Sequence, residues 1–471
     1  MSKHYHFIGI GGIGMGALAA LSLDKGYRVS GSDLRSNPMT ERLKARGAEI
    51  FSGHAGENIG GADCVVFSSA IRDDNPELVE AERKKIPVLQ RAKFLAELME
   101  GYIGITVAGA HGKTTTTSMA ADLLEEAGLQ PTTAIGGIVN GTRAHAELGE
   151  GKYFVTEVDE SDGSFLCFRP HYSIITNVDL EHVDYYHNWQ NVLDAYRAFI
   201  GKTREGGTIL AYGDDEPLLN MVKESGKSFK TYGFSPENNI SAVNIKFDHF
   251  DSRFNCVVDG VDRGQVLLKI PGRHNIANAL ACISLGLSLS IEFDTICESL
   301  KSYKGVQRRF QLKSRVDDIW VIDDYAHHPT EIKATLETAQ LFKRSVQEMT
   351  AGGETNGLIA VFQPHRYSRV KGLLEDFAQS LVYSDQLIVT DIYAASEQPI
   401  EGVTAEKLCE QIRAITDRPV CYIPKGEIID HLLDVVKPQD LVLTLGAGDV
   451  GAIADDLAEA LKKRSAAAEV S

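Results

Sequence analysis

Short apolar segments typical of β-strands alternate with helical patterns along the chain, and this alternation restricts the fold more than any other feature. The first segment, residues 4–10, leads into a glycine loop, Gly9-x-Gly11-x-x-Gly14, and then into a helical pattern. Strands that are connected through helices pair in parallel, with helices on both faces of the sheet. The sequence therefore predicts an α/β protein with doubly wound parallel sheets. Other strands are predicted at residues 27–30, 64–68, 101–108, 153–158, 173–177, 208–212, 320–324, 358–362, 386–390 and 440–445.

The strand–helix pattern restarts twice, which divides the 471 residues into three consecutive predicted domains. We place a Rossmann-like domain at residues 1–101, a P-loop-type central domain at residues 102–304 and a second Rossmann-like domain at residues 305–471. Within the central domain, residues 240–270 alternate in polarity and contain several turn signals, which indicates a small antiparallel appendage. Residues 345–356 have the composition of a flexible surface loop. Three domains agree with the usual size of about 150 residues per domain.

Charge and hydropathy exclude several classes of function. The chain has 48 Lys and Arg against 65 Asp and Glu, a net charge of −17, which argues against a nucleic-acid surface or a polybasic membrane anchor. No apolar run approaches the ~18–20 residues that span a membrane, and the N-terminus lacks the features of a signal peptide. The seven Cys form no C-x-x-C pair, so we expect neither disulfides nor a zinc knuckle but a reducing cytoplasm.

The segment Gly112-Lys113-Thr114 follows a predicted strand and opens a predicted helix. A helix N-terminus has free N–H groups and a partial positive charge, so it attracts phosphate. Lys113 would reach the β- and γ-phosphates of a nucleotide, and the Thr114 hydroxyl would ligate Mg²⁺. The complete phosphate-loop pattern fails because Val107 stands where it requires glycine, so a glycine-rich turn capped by threonines is the alternative. We expect Lys113 in an exposed loop, where its loss would affect activity and not stability.

Acidic side chains and a histidine follow the next two predicted strands. Glu157 and Asp159 lie two residues apart at a strand end, so a continuing strand would place them on one face. In an α/β domain that strand end lies beside the phosphate loop, and carboxylates there suit Mg²⁺. His182 is a candidate for a second metal site. The alternatives are solvated acids or helix caps, notably for Asp162, and an ordinary hydrogen-bonded turn histidine for His182.

Six motifs spread over the chain resemble those of a known family. They lie at residues 109–115, 157–162, 177–184, 272–278, 308–310 and 323–329. The chain resembles the Mur ligases, the ATP-dependent amide ligases that build peptidoglycan precursors. Residues 9–15, 159–165 and 362–369 are most similar to members that join L-alanine to UDP-N-acetylmuramate. A ligase that recycles murein tripeptide is the nearest alternative.

The resemblance implies an amide ligase that works through an acyl-phosphate intermediate. The implied cofactors are ATP and Mg²⁺, with two metal ions, and the protein is expected as a monomer or a homodimer. The implied catalytic residues are Lys113, Glu157, His182, Arg309 and His327. The implied metal ligands are Thr114, Glu157 and His182. His182 and His327 are both candidates for accepting the proton of the alanine amine.

The resemblance further implies that the first domain holds UDP-N-acetylmuramate, with Asp33 and His54 near the uridine. The implied residues of this site are Gly11, Gly12, Gly14, Met15, Asp33, His54 and Ser68. The glycine loop together with Asp33 also fits a dinucleotide fingerprint, so an NAD-dependent dehydrogenase is an alternative of a different class. An ATP-gated scaffold protein without ligase activity is a third.

The remaining implied residues would bind ATP and L-alanine. For ATP they are Gly109, Ala110, His111, Gly112, Lys113, Thr114, Thr115, His274, Asn278 and Asp324. The Asn278 amide suits an adenine edge, Asp324 a ribose, and Arg309 the γ-phosphate. The other substrate-binding residues are His328, His365, Arg366 and Arg369. Among them we assign Arg369, with His365 one turn earlier, to the alanine carboxylate, because a guanidinium grips a carboxylate in two places; solvated helix charges are the alternative.

The chain departs from the wider family at one point. Several members carry a carbamylated lysine on the helix that follows the His182 motif. The helix predicted here, residues 189–200, contains no Lys, and Arg197 is its only cation. A carbamate is therefore not predicted, and the second metal would depend on His182 and Glu157.

Overall fold

The computed structural model describes residues 2–137, 146–349, 357–395 and 397–470. The chain forms two compact units. Unit 1 comprises Met1–Val243, Asn255–Val266 and Ala277–Lys304, and unit 2 comprises Asn244–Phe254, Leu267–Ile276 and Gly305–Ser471. Residues of the first two predicted domains thus share unit 1, and the predicted domain boundaries stay a prediction.

The N-terminal part of unit 1 is a sheet of five parallel strands with four helices. The strands are β1 (His4–Ile8), β2 (Arg28–Asp33), β3 (Glu49–Ser52), β4 (Cys64–Phe67) and β5 (Val88–Gln90), and the helices are α1 (Ile13–Asp24), α2 (Pro38–Ala45), α3 (Pro76–Lys84) and α4 (Arg91–Met99). Their order is β3-β2-β1-β4-β5, and every residue of the central β1 is buried. The order reverses between β1 and β4, the point at which ligands bind to open α/β sheets.

A second sheet of ten strands follows. Its strands are β6 (Ile103–Ala108), β7 (Thr132–Ala134), β8 (Ala146–Glu147), β9 (Tyr153–Glu157), β10 (Tyr172–Ile175), β11 (Thr208–Tyr212), β12 (Phe229–Gly233), β13 (Ile240–Asp248), β14 (Asp251–Val258) and β15 (Val261–Leu268). The helices of this part are α5 (Lys113–Glu126), α6 (Val183–Tyr186), α7 (Trp189–Lys202), α8 (Glu216–Glu224), α9 (Arg273–Ser288) and α10 (Phe293–Ser302). The order is β15-β14-β13-β12-β11-β10-β6-β9-β7-β8. The central β6 pairs in parallel with β9 and β10, so the ends of these three strands meet beside α5.

Unit 2 contains a third sheet of six strands. The strands are β16 (Gln311–Val316), β17 (Ile319–Asp324), β18 (Leu358–Phe362), β19 (Gln386–Val389), β20 (Val420–Tyr422) and β21 (Leu441–Leu445), and the helices are α11 (Pro329–Met349), α12 (Tyr367–Gly372), α13 (Leu374–Leu381), α14 (Ala405–Arg413), α15 (Ile428–Val435) and α16 (Gly451–Val470). The order is β16-β17-β21-β18-β19-β20. In the described residues of this sheet, β16 pairs antiparallel with β17, and the other neighbouring strands pair in parallel. The predicted α/β class with mostly parallel sheets is confirmed.

Two local predictions need correction. The loop predicted at residues 345–356 is wrong at its start, because residues 345–349 continue α11; residues 350–356 lie outside the described residues. Helix α7 extends to Lys202, so it does contain a lysine. That lysine is exposed in the last turn, about 20 Å along the axis from the first residue of the helix at ~1.5 Å per residue.

In the part of the chain that the structure describes, none of the helices combines the length and the apolar character that a membrane crossing requires.

Candidate active site

The phosphate loop runs from the end of β6 to the start of α5 in unit 1. Gly109 and Gly112 have φ angles of 132° and 82°, which lie in the left-handed region that glycine adopts without strain. Lys113 is the first residue of α5, so its backbone N–H is one of the first-turn groups that have no acceptor within the helix. Thr115 follows on α5 as a buried residue. The loop thus has the form of a phosphate-binding helix N-terminus.

The Lys113 ammonium is enclosed by oxygen atoms. Nζ donates to Gly109 O at 2.6 Å and to Ala110 O at 3.1 Å. It also donates to both carboxylate oxygens of Glu160, at 2.8 Å each. The Lys113 side chain is only 18% exposed and that of Glu160 4%, so the expectation of an exposed lysine is wrong. Burial by itself would lower the pKa of Lys113, but the Glu160 carboxylate outweighs burial and raises it.

Thr114 and Glu157 form a second pair beside the loop. The Thr114 hydroxyl donates to Glu157 Oε2 at 2.7 Å, and Glu157 is the last residue of β9. Gly136 closes over this carboxylate: a Cβ at that position would lie 1.8 Å from Glu157 Oε1. A hydroxyl and a carboxylate oxygen held together are ligands of the type that Mg²⁺ prefers.

His182 lies directly before α6, with a φ of 53° that is uncommon for a residue with a side chain. Its Nε2 is 3.6 Å from Glu160 Oε1 and 3.5 Å from Glu181 Oε2. Burial would lower the pKa of His182, but these two carboxylates outweigh burial and raise it. One ligand atom from each of the three residues lies within 4.8 Å of the others, so this group could hold a metal ion.

The structure therefore divides the predicted metal ligands between two arrangements. Thr114 pairs with Glu157, whereas His182 faces Glu160 and Glu181, which the sequence reading did not select. Asp159 was predicted to lie on the same strand face as Glu157. This prediction is wrong, because β9 ends at Glu157 and Asp159 lies beyond the strand. Asp159 instead accepts a hydrogen bond from the backbone N–H of Ser161. In the same way Asp162 accepts one from Ser164 N, a local turn contact of the kind expected for a cap.

The segment after β10 holds the phosphate loop through His111. Asn177 Oδ1 accepts from His111 N at 2.9 Å, and the Thr176 hydroxyl donates to His111 O at 2.5 Å. The His111 Nε2 atom lies 3.0 Å from Asp179 Oδ2. Both the backbone and the ring of His111 are therefore fixed by residues of the neighbouring strand end.

Asn278, the residue predicted for adenine, lies beside this loop. A Cβ on Gly112 would be 2.7 Å from Asn278 Oδ1, so the amide packs against the glycine that precedes Lys113. Helix α9 begins at Arg273, so Asn275 lies within its first turn and does not precede the helix. The structure thus brings one predicted adenine residue to the phosphate loop, within unit 1.

The glycine loop of the first sheet is bound to the end of β2. Gly9 N and Ile10 N donate to Ser32 O at 2.8 and 3.0 Å, and Gly11 N donates to Asp33 Oδ2 at 2.9 Å. Gly12 is the N-cap of α1 and has an extended backbone. The first-turn N–H groups of α1 are therefore the free donors of this loop.

A cavity of about 440 Å³ in unit 1 connects the two loops. Its walls include Gly9, Gly12, Ile13, Gly14, Met15, Ser68, Arg91, Ala92, Leu95, Lys113, Thr114, Gly136, Glu157, Val158, Asp159, Ser164 and Phe168. The predicted residues of the two nucleotide sites thus meet around one space. A molecule with a phosphate at one point and a second anionic group at another fits such a wall.

Arg91 in this wall is a cation that the sequence reading missed. It is the first residue of α4, and a Cβ on Gly14 would lie 3.2 Å from its Nη1 atom. The guanidinium is therefore next to the N-terminus of α1. No motif marks this arginine, because α4 is brought there by the fold and not by proximity in sequence.

His54 lies away from the cavity wall, behind the end of β2. Its Nδ1 atom is 2.9 Å from the Ser32 hydroxyl oxygen and 3.2 Å from Glu77 Oε2. The Glu77 side chain is fully buried and that of His54 is 15% exposed. His54 is a predicted site residue, whereas Glu77 is not part of any predicted motif.

In unit 2, Asp324 ends β17 and is buried. Its carboxylate accepts from Phe310 N at 2.7 Å and from Ala326 N at 2.8 Å. Burial is the main cause that raises the pKa of Asp324 to about 6, against the lowering effect of Arg309 and these hydrogen bonds. Burial, followed by the charge of Arg309, lowers the pKa of His274 to about 4, so this ring is neutral at pH 7.

Glu331, in the first turn of α11, contacts two predicted catalytic residues, Arg309 and His327. Its carboxylate is 3.6 Å from Arg309 Nη1 and 3.2 Å from His327 Nδ1. His328, the next residue, is buried. Glu331 was not selected from the sequence, although it lies four residues after His327.

The residues predicted for the alanine carboxylate lie nearby in unit 2. The His365 ring stacks on Tyr393 with centroids 5.5 Å apart and lies 5.6 Å from the His327 ring. Burial, together with His327 and Arg369, lowers the pKa of His365 to about 4. Arg369 is half-buried on α12, whereas Arg366 is exposed with a φ of 69° before the helix. His365 and Arg366 thus precede α12, so the prediction that His365 lies one helical turn before Arg369 is wrong.

Sequence models of three domains of one family match the chain. They are the Mur ligase family catalytic domain at residues 4–103, the Mur ligase middle domain at residues 107–286 and the Mur ligase glutamate ligase domain at residues 308–448.

Curated relatives match almost the full chain. The UDP-N-acetylmuramate--L-alanine ligase of Geotalea uraniireducens is 46% identical over 458 residues, which are 97% of this chain and 98% of that protein. The enzyme of the same name from Geobacter sulfurreducens is 44% identical and covers 94% of this chain and 95% of its own length.

Solved structures show the same similarity. The UDP-N-acetylmuramate-alanine ligase of Thermotoga maritima has a TM-score of 0.79 at 28% identity, over 98% of this chain and 100% of its own. A murein peptide ligase from Psychrobacter arcticus has a TM-score of 0.67 at 25% identity, over 98% and 99% of the two chains.

Proposed function

Because the chain belongs to the Mur ligase family, we propose that it joins L-alanine to UDP-N-acetylmuramate in an ATP-dependent reaction. The observation that carries this proposal is the cavity of about 440 Å³ whose wall includes both the N-terminus of α1 and Lys113, Thr114 and Glu157. A UDP-sugar has a diphosphate, which suits a helix N-terminus. Its muramoyl carboxylate must meet the phosphoryl donor, which suits the second loop. The match to three Mur ligase domains argues against the alternatives of a dehydrogenase and of a scaffold protein.

The proposed reaction has two steps. A muramoyl carboxylate oxygen attacks the γ-phosphorus of ATP, and the bond between this phosphorus and the oxygen of the β-phosphate breaks. ADP departs as the leaving group, and the muramoyl carboxylate has become an acyl phosphate. The alanine nitrogen, after losing a proton, attacks the acyl carbon. The nitrogen of the tetrahedral intermediate then gives its second proton to a base or to water, and the bond to the phosphate oxygen breaks, which releases phosphate and the amide. Phosphoryl transfer depends mainly on position and on neutralising negative charge.

Cations in the cavity wall supply the positive charge that neutralises the phosphates. The net charge of −17 would repel ATP and a UDP-sugar, so local cations must dominate at the site. Lys113 and Arg91 both line the cavity. We propose that Lys113 leaves Glu160 to bind the transferring phosphoryl group, and that Arg91 binds the diphosphate. Arg309 of unit 2 is proposed for the γ-phosphate.

The residues present also fit Mg²⁺. We propose that Thr114 and Glu157 hold one ion, because their two oxygens are 2.7 Å apart in the cavity wall. His182, with Glu160 and Glu181, is proposed for a second. When bound, the ions neutralise negative charge on the phosphates. His182 and His327 stay alternative proposals for the acceptor of the amine proton, and His182 could accept it only while its Nε2 atom does not hold the ion.

We also propose a cytoplasmic location. All seven cysteines are free, which agrees with a reducing compartment. The oligomeric state, a monomer or a homodimer, stays a prediction.

A phosphate-release assay tests the proposed function. We expect release from ATP only when UDP-N-acetylmuramate and L-alanine are both present. Murein tripeptide in place of L-alanine should support little turnover, and NADH should not bind. Turnover with tripeptide but not with L-alanine would show the recycling ligase instead, and phosphate release that ignores both substrates would contradict the proposal.

A further inference from the structure

A buried carboxylate lies behind the end of β2, outside the cavity. Glu77, in the first turn of α3, has a fully buried side chain. Its Oε1 atom accepts from Asn58 Nδ2 at 2.7 Å, and its Oε2 atom accepts from the Ser32 hydroxyl at 2.6 Å. His6 Nε2 lies 3.6 Å away. Burial alone would raise the pKa of Glu77, but these neighbours outweigh burial and lower it to about 2.

The hydrogen bonds around Glu77 fix the tautomer of His54. The Nδ1 atom of His54 faces Ser32 Oγ at 2.9 Å and Glu77 Oε2 at 3.2 Å. The hydroxyl hydrogen of Ser32 is donated to Glu77, and a carboxylate has no hydrogen to give. Nδ1 must therefore carry the proton, and in the neutral ring Nε2 is left as an acceptor.

His54 lies where the nucleoside end of a UDP-sugar would extend. It follows β3, next to the end of β2, where Asp33 accepts from Gly11 N of the glycine loop. In folds of this kind the diphosphate lies at the helix N-terminus and the acid at the end of the second strand binds the ribose. The base then lies beyond that acid, towards the third strand.

We propose that Glu77 is a positioning residue, which acts through His54 to select uracil. With Nδ1 tied to Glu77 and Ser32, the Nε2 lone pair accepts from the N3–H group of uracil. Cytosine has a lone pair at N3, so the same atom rejects it. This inference rests on the proposed function, because it concerns the UDP end of that substrate.

The test is a double-mutant cycle on the full chain. Glu77→Leu removes both acceptor oxygens and should raise the KM for UDP-N-acetylmuramate roughly tenfold. The kcat and the KM values for ATP and L-alanine should stay within about twofold. If Glu77 acts through His54, the same change in a His54→Ala background should have no further effect on this KM. Glu82→Leu, exposed on the same helix, is the matched control.

A measurement on the unaltered protein covers the case in which the Glu77 variant does not fold. Imidazole ¹⁵N shifts, assigned by the loss of one signal in His54→Ala, should show Nδ1 protonated and Nε2 unprotonated. The opposite tautomer, an unchanged KM in folded Glu77→Leu, or additive effects in the cycle would overturn the role of Glu77. If the unaltered protein does not bind UDP-N-acetylmuramate at all, the proposed function fails and this inference with it.

Discussion

The Lys113 ammonium lies 2.8 Å from each carboxylate oxygen of Glu160, and this pair is largely shielded from water. The contact holds the lysine at the phosphate loop with its charge balanced. A phosphate that binds Lys113 must therefore compete with Glu160. Tyr186 in turn donates its hydroxyl hydrogen to Glu160 O, so the acidic partner is itself fixed.

Lys113→Ala should reduce both activity and stability. One lost electrostatic contact at a phosphoryl-transfer site costs about 10²–10³ in rate. Removing one partner of a buried ion pair costs ~3–5 kcal/mol, and the partial exposure of Lys113 puts the expected loss nearer 2–3. Because the melting shift is this loss divided by the unfolding entropy, which is large for a unit of this size, we expect a melting temperature roughly 3–5 °C lower, measured by calorimetry alongside phosphate release.

Lys113→Ala combined with Glu160→Ala is the control for this loss of stability. The double variant has no unpaired buried carboxylate, so it should recover part of the melting temperature while activity stays low. A single Lys113 variant that melts like the unaltered protein would show that the pair does not stabilise the fold.

The strand–helix alternation was sufficient to predict the parallel sheets, because buried parallel strands read as apolar runs. The strands at residues 208–212 and 358–362 agree with β11 and β18 to the residue. Short strands such as β7 and β20 were not predicted, because three residues carry no detectable periodicity.

Glu157→Gln should weaken the response to Mg²⁺. The amide keeps the shape of the side chain but loses the negative charge that attracts a hard cation. We expect the Mg²⁺ concentration for half-maximal activity to rise at least about tenfold, since ~1.4 kcal/mol corresponds to one decade. The measurement is a Mg²⁺ titration of phosphate release after treatment with a chelator. Glu147→Gln, an exposed acid on β8, should leave the titration unchanged; equal curves for both variants would exclude Glu157 as a ligand.

Arg91→Ala should specifically weaken the binding of UDP-N-acetylmuramate. A charge-assisted hydrogen bond is worth ~1.5–3 kcal/mol, so the KM for the UDP-sugar should rise roughly 10- to 150-fold. The KM for L-alanine should change little. Lys93→Ala, an exposed cation on the same helix, controls for net charge. If both variants shift the KM equally, the effect comes from the overall field and not from Arg91 in the cavity.

Asp324 should make the stability of the protein depend on pH between about 4 and 6. Its pKa rises from 3.8 to about 6 on folding, so the folded state holds the proton more tightly than the unfolded state. Stability is therefore greatest below the lower value and falls as the pH rises through the higher one. The two-unit difference corresponds to about 3 kcal/mol at ~1.36 kcal/mol per unit.

Asp324→Asn tests this dependence. Asparagine resembles the protonated acid, so the variant should lack the fall in stability across that pH range. The measurement is denaturant unfolding of both proteins at pH 4 and pH 7, followed as the difference between them. A difference that does not change with pH would mean that the Asp324 pKa is not raised by folding.

The site residues were predictable where they lie within one motif and not where the fold brings separate segments together. Lys113, Thr114 and Glu157 stand in recognisable strand-end motifs. Arg91 and Glu77 reach their positions through α4 and α3, so neighbouring residues in sequence give no signal for them. The prediction that Lys113 is exposed is wrong for the same reason, because its burial depends on Glu160, which is distant in sequence.

Arg369→Ala should mainly weaken the binding of L-alanine. The half-buried guanidinium lies on α12 close to His365, whose ring is neutral at pH 7 because burial and the neighbouring cations lower its pKa to about 4. A carboxylate there would gain a two-pronged, charge-assisted partner worth ~1.5–3 kcal/mol. Loss of that partner predicts a KM for L-alanine raised roughly 10- to 150-fold, with a much smaller change for ATP.

Two further variants make the assignment of Arg369 specific. Arg369→Lys keeps the charge but cannot form the two-pronged contact, so it should restore only part of the affinity. Lys371→Ala, an exposed cation on the same helix, should leave both KM values unchanged. Steady-state phosphate release with L-alanine and ATP varied in turn measures all of these. If Arg369→Ala raises the KM for ATP and not that for L-alanine, the guanidinium serves the nucleotide, and the selection of alanine lies elsewhere in unit 2.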